Sequence, residues 1–187
     1  MMSRSAFPSA VATYHAVPLK RLLCKAIEYH TASITYCHRT RESVRTMLEA
    51  VFVPPAVYAE LTDARAPERV RQRVLSLPKW FEVRTRQLTS PARDVIGLHR
   101  GEREAMLLAE SLSADVLLRD EQTGRAIAMG RKLPLSGTLG VLESADAKGL
   151  LNDFPLVLKQ LRASGFFIAE SSERKLLQRH RARRGTK

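Results

Sequence analysis

The stretch RGEREAMLLAESLSADVLLRD, Arg100 to Asp120, reads as a helix that runs straight into a strand. Ala105, Met106, Leu108, Ala109 and Leu112 recur at helical spacing and make one apolar face. Val116, Leu117 and Leu118 then form the unbroken apolar run expected of a strand buried on both faces, as in a parallel sheet. Downstream, GRAIAMGRKL reads as helix, LPLSG as strand, and TLGVLESADAKG as a helix that Gly149 ends. Phe154 to Ala163 is a further amphipathic helix, stopped by Gly165 and followed by FFIA and a last helix opening at Ser171-Ser172. Upstream, AVFV is a short buried strand, and Pro54-Pro55 sets the chain for a helix through AVYAELT. Residues 63–77 carry Val70, Val74 and Leu77 at helical spacing, and Trp80, Phe81 and Val83 make a strand or packed loop. This alternation implies an α/β fold, helices packed on a mostly parallel central sheet.

The ends read differently. Residues 1–25 show no steady period and contain Pro8 and Pro18, so a poorly ordered extension is expected there. Leu22 to Tyr29 fits either a first strand or a short helix. The folded domain is expected over residues 26–172, with residues 173–187 a solvated basic tail, since RKLLQRHRARRGTK is too basic to cover a core alone.

A chain of 187 residues suits one domain. No apolar run approaches the roughly 20 residues that a membrane span needs, so no membrane association is expected. The excess of 31 Lys and Arg over 19 Asp and Glu, a formal charge of +12, favours polyanionic partners: nucleic acid, acidic protein segments or an anionic membrane surface. Cys24 and Cys37 are too few for a disulfide framework, and the first residues lack a secretory core, which together fit a cytoplasmic protein.

Acids placed at the carboxyl ends of parallel strands, or early in the helices beside them, are the first candidates for chemistry in such a sheet. Asp120 follows VLLR, Glu60 lies in the helix after AVFVPP, and Glu104 stands in the first turn of the helix before VLL. Carboxylates that converge without cationic partners repel each other, and a hard divalent cation, Mg²⁺ or Mn²⁺, removes that repulsion. Such a centre activates water for in-line attack on a phosphodiester. The plainer reading is that an acid in a first turn complements the helix dipole and that most Glu are solvated.

The segments VFVPPAVYAEL, GEREAMLLAESLSADVLLRDEQTGRAIA, LPLSGTLGVLESADAKGLL and LRASGFFIAE, in that order from about residue 49 to 180, are similar to PIN domains of the VapC type, toxin ribonucleases of bacterial toxin–antitoxin pairs. The resemblance implies a PIN-like three-layer sandwich. It also implies an RNA-cleaving enzyme in which Glu60, Glu104 and Asp120 hold one or two Mg²⁺ or Mn²⁺ ions, a cognate antitoxin protein that blocks the site, and a homodimer. Glu102 and Glu121 are second choices beside Glu104 and Asp120, and Thr138 matches a polar position beside the family's site, although a helix N-cap is an equal role for it. Arg119 or Arg125 is expected to steer the phosphate. The sequence departs from the family at the front, where a strand usually ends in Asp: no Asp precedes Asp63, and either Glu28 or Thr31 falls at that place. Glu28 is the fourth candidate ligand, and Thr31 would bring no charge.

Other motifs carry less. DEQTG at Asp120 is similar to phosphatases with an Asp nucleophile, but Gln122 stands where their second Asp is needed. Cys24, His30, Cys37 and His38 lack any C-x-x-C pair for zinc. His99 and His180 read as surface residues, and Trp80 as core more than as a base-stacking platform. The alternative to an enzyme is a degenerate PIN-like module that binds RNA or a protein partner through its basic surface.

Overall fold

The computed structural model describes residues 21–24, 47, 50–76, 81–85 and 98–185. Strands β1 (Arg21–Cys24), β2 (Ala50–Val53), β3 (Phe81–Val83), β4 (Val116–Leu118) and β5 (Leu135–Ser136) form one sheet in the order β3-β2-β1-β4-β5. All four pairings are parallel, with Leu22 opposite both Val51 and Val116, and Cys24 opposite Leu118. The connecting helices are α1 (Pro55–Thr62), α2 (Glu68–Leu75), α3 (Arg100–Ser111), α4 (Gln122–Gly130) and α5 (Thr138–Ala147), followed by α6 (Phe154–Ala163) and α7 (Glu170–Gly185). Among the described residues no helix is long and apolar enough to cross a membrane.

Alternation along the strands divides the core in two. Val51, Val53, Val116 and Leu118 point to one side, where they meet buried residues of α1, α2, α5, α6 and α7. Phe52 and Leu117 point to the other, against Ala105 to Ala109 of α3 and Ala128 of α4. A period of two on strands covered on both faces yields this three-layer arrangement, and explains why the strands are apolar throughout rather than alternating.

Two expectations about the ends are corrected. β1 lies at the centre of the sheet, so residues 21–24 belong to the domain and not to an extension; its four residues are too few to show a period. The remainder of 1–25 lies outside the described residues. The basic segment after residue 173 is not a tail over its described part: it forms most of α7, with Leu176 and His180 buried. His180 is therefore no surface residue. Its Nδ1 lies 2.8 Å from Asp146 Oδ1, its ring stacks at 5.4 Å on Phe154, and Arg183 Nη2 donates to Asp146 Oδ2 at 2.6 Å. The segment docks through polar groups that find an acid on α5, which an apolar count cannot register.

Candidate active site

The strand order reverses between β1 and β4, and in open parallel sheets the crevice at such a reversal, beyond the carboxyl ends of the strands, is where ligands bind. Arg119 and Asp120 follow β4 directly into it. The Asp120 carboxylate turns to the start of α5: Oδ1 accepts from Thr138 N at 2.8 Å and Oδ2 from Thr138 Oγ1 at 2.6 Å. The N-cap position itself is Gly137, with no side chain to cap the helix. Asp120 supplies the missing acceptor from another segment, and Thr138, fully buried, is the first helical residue and not the cap. Gly137 is required for this approach, since a Cβ there would come 2.7 Å from Asp120 Oδ1.

Glu104 has a similar double engagement. The first turn of α1 starts at Pro55, and Glu104 Oε2, from the facing helix α3, accepts from Ala56 N at 3.0 Å. Its Oε1 accepts from the exposed Arg100 Nε at 2.9 Å. Glu60, one turn along α1 from Ala56, reaches to the first turn of α3, its Oε1 only 2.7 Å from where a Gly101 Cβ would sit. Gly101 and Glu104 are one turn apart on α3, so Glu60 and Glu104 share the seam between the two helices. Glu60 is exposed and has no hydrogen-bond partner among the described residues.

Glu102, the second choice beside Glu104, is engaged at the start of its own helix and with Arg119. Its Oε2 accepts from His99 N at 3.0 Å and its Oε1 from Arg119 Nη2 at 2.7 Å. Arg119 is 0% exposed, with Glu121 Oε2 at 3.5 Å from Nη2, and among the described residues Nη1 has no partner. Burial pushes the Arg119 pKa down, and the neighbouring Glu102 and Glu121 carboxylates offset part of that. A guanidinium so enclosed does not steer a phosphate, which corrects that expectation for Arg119. It braces the start of α3 to the end of β4, the elements that carry Glu104 and Asp120. Gly124 makes the brace possible, because a Cβ at that position would lie 1.2 Å from Arg119 Cζ. Arg125, half-buried, donates from Nη1 to Arg119 O at 2.7 Å.

Glu60 and Glu104 thus come to one seam, while Asp120 is held against α5. Among the described residues no group of three or more His, Cys, Asp or Glu is placed to hold a metal ion, so the three acids are not gathered into one cluster. Glu28 and Thr31 lie outside the described residues, as do His30, Cys37, His38 and Trp80. The donors nevertheless fit a hard divalent cation in kind: all are carboxylate oxygens, each with a lone pair beyond the hydrogen bond it accepts, and Gly101 leaves room for Glu60. The brace of Glu102, Arg119 and Gly124 was not apparent from the sequence. A glycine inside a helical pattern signals close approach of another group, and Gly124 was the sign available.

A family model of the PIN domain matches residues 39–182, more than half of the chain. No curated protein and no solved structure matches it.

Proposed function

The chain belongs to the PIN-domain family, and from that premise we propose that it is a divalent-metal-dependent ribonuclease, the toxin of a toxin–antitoxin pair. Nuclease-type activity is general to the family. The observation that carries the reading here is the placement of Asp120 at the carboxyl end of β4, beside the reversal of strand order. Glu60 and Glu104 would hold Mg²⁺ or Mn²⁺ together with Asp120, and Glu28 would be the fourth ligand. The ion, when bound, supplies a Lewis acid and an activated water. Thr138 fixes the orientation of Asp120 through two hydrogen bonds. Arg125 Nη1 and Asp120 Oδ1 lie 3.6 and 2.7 Å from one point, the place of a Gly137 Cβ, which puts a cation beside the acid to meet a phosphate oxygen. An antitoxin protein and a homodimer belong to the same reading.

Glu60→Gln is the decisive variant, because Glu60 carries no hydrogen bond to another described residue and its loss should leave the fold unchanged. With Mn²⁺ and a structured RNA, the parent should cleave and the variant should be slower by on the order of 100-fold. Equal cleavage by both would assign the activity to something other than these acids. A second reading, a degenerate module that binds RNA or a protein through its basic surface, draws on the capping duties of Glu104 and Asp120 and on the absence of a three-acid cluster among the described residues. It predicts a parent that binds and does not cut.

A further inference from the structure

We infer that the outward face of α7 is a docking ridge for the RNA backbone. The basic residues of this helix divide by direction. On the inward side the charges are matched: Arg179 pairs with Glu143, Arg183 with Asp146 and Glu143, and Glu173 with Arg162. Arg174, Lys175, Gln178 and Arg181 lie on the opposite side, all exposed. None of these four has a hydrogen-bond or ionic partner among the described residues, and the only acid among the described residues of α7 on their face is the exposed Glu170, at its N-terminal end. At about 1.5 Å per residue, Arg174 and Arg181 stand roughly 10.5 Å apart along the axis, with Lys175 and Gln178 between them.

Glu143 meets Arg179 and Arg183, and Asp146 meets His180 and Arg183, so the inward face of α7 is held to α5. A protein partner would need buried apolar anchors, and among the described residues the only large apolar side chain on this face is the half-buried Leu177. A phosphate backbone needs only unpaired cations at intervals, which the face supplies. The choice of RNA as ligand rests on the ribonuclease reading.

The test is fluorescence anisotropy of a labelled oligouridine RNA of about 20 nucleotides, with the full chain in EDTA so that binding is measured without cleavage. Arg174→Ala/Lys175→Ala/Arg181→Ala is compared with a variant that loses the same charge elsewhere, Arg65→Ala/Arg71→Ala/Lys159→Ala. If each ridge cation meets one phosphate, the ridge variant should bind on the order of 50-fold more weakly at 0.15 M salt, with a salt slope shallower by about 2. The control should change less than about threefold. Parent-like RNA binding by the ridge variant, an equal loss in the control, no RNA binding by the parent, or a greater loss for a polyglutamate peptide than for RNA would each overturn the inference. A parent that binds RNA through the ridge but does not cut it would sink the nuclease reading alone.

Discussion

Gly124→Ala is expected to destabilise the protein, against the ordinary sign of that substitution. In a helix interior, alanine is favoured over glycine by about 1 kcal/mol because it restricts the unfolded chain and loses no side-chain entropy. Gly124 lies in the first turn of α4, and an added Cβ would come 1.2 Å from Cζ, 1.5 Å from Nη2 and 1.8 Å from Nε of Arg119. A long side chain usually swings clear of such an intrusion. Arg119 has nowhere to swing, being 0% exposed and held by Glu102 at 2.7 Å. Either the guanidinium leaves its carboxylate or α4 lifts from the sheet. Breaking a buried ion pair costs about 3–5 kcal/mol, so the net loss should be about 2–4 kcal/mol after the helix gain is subtracted. In urea this would lower the unfolding midpoint by about 1–2 M. The companion is Arg119→Met in the Gly124→Ala background, which removes the collision. The double variant should be more stable than the sum of the two single losses predicts, with a coupling above about 1 kcal/mol. A neutral or stabilising Gly124→Ala, or strict additivity, would refute the packing argument.

Three further outcomes are expected. Ser113 and Lys132 end α3 and α4 at φ 47 and 57, in the left-handed region, so Ser113→Gly and Lys132→Gly should each stabilise by roughly 0.5–1 kcal/mol in the same urea assay. Asp146→Ala should cost about 1–3 kcal/mol, because it leaves the buried His180 Nδ1 without its acid while Arg183 keeps only Glu143; a loss below about 0.5 kcal/mol would mean the network contributes little. Hydrogen bonds from the side chain and backbone of Arg65 hold the Asp63 pKa down to about 2, so its small stabilising contribution is complete above the ordinary carboxylate range and is lost as pH falls through 2. NMR titration of the Asp63 carboxyl should show that depressed value in the parent and a return toward the usual range in Arg65→Ala.

The helix ends show how far the sequence could be read. α5 and α6 stop at Gly149 and Gly165, with φ 70 and 93, and both stops were legible because glycine marks them. α3 and α4 stop with the same pair of backbone bonds, Ser113 N to Glu110 O and Ala114 N to Ala109 O in one, Lys132 N to Met129 O and Leu133 N to Ala128 O in the other. No residue type announced those two. The start of α7 was legible at Ser171-Ser172, but the docking of its basic part was not: the stripe that docks it is Leu176, His180 and Arg183, one apolar residue and two polar ones whose acid lies more than 30 positions earlier. Short strands such as β4 were legible from the apolar run alone, whereas β1, only RLLC, gave no period to read.

The candidate site raises a sharper issue, because two of its acids also hold the fold. Removing the Asp120 carboxylate takes both acceptors from Thr138 at the start of α5, and removing that of Glu104 uncaps Ala56 at the start of α1. Losing a helix cap costs about 0.5–2 kcal/mol, so an inactive Asp120→Ala or Glu104→Ala would leave chemistry and folding entangled. The same hydrogen bonds give the acids their value to a metal centre. They fix carboxylate orientation before any ion arrives, at the ends of helices whose dipoles favour negative charge there. Glu60 stands outside this duty, placed by the absence of a side chain at Gly101 and by no hydrogen bond among the described residues. Gly101→Ala therefore acts on Glu60 alone among the three: its Cβ would displace the carboxylate while Glu104 and Asp120 keep their partners. If the acids work together on a metal, Gly101→Ala should weaken Mn²⁺ binding about as much as Glu60→Gln, with no fall in the urea midpoint. If Gly101→Ala leaves Mn²⁺ affinity intact while Glu60→Gln abolishes it, the position of Glu60 over the first turn of α3 is not the one that binds.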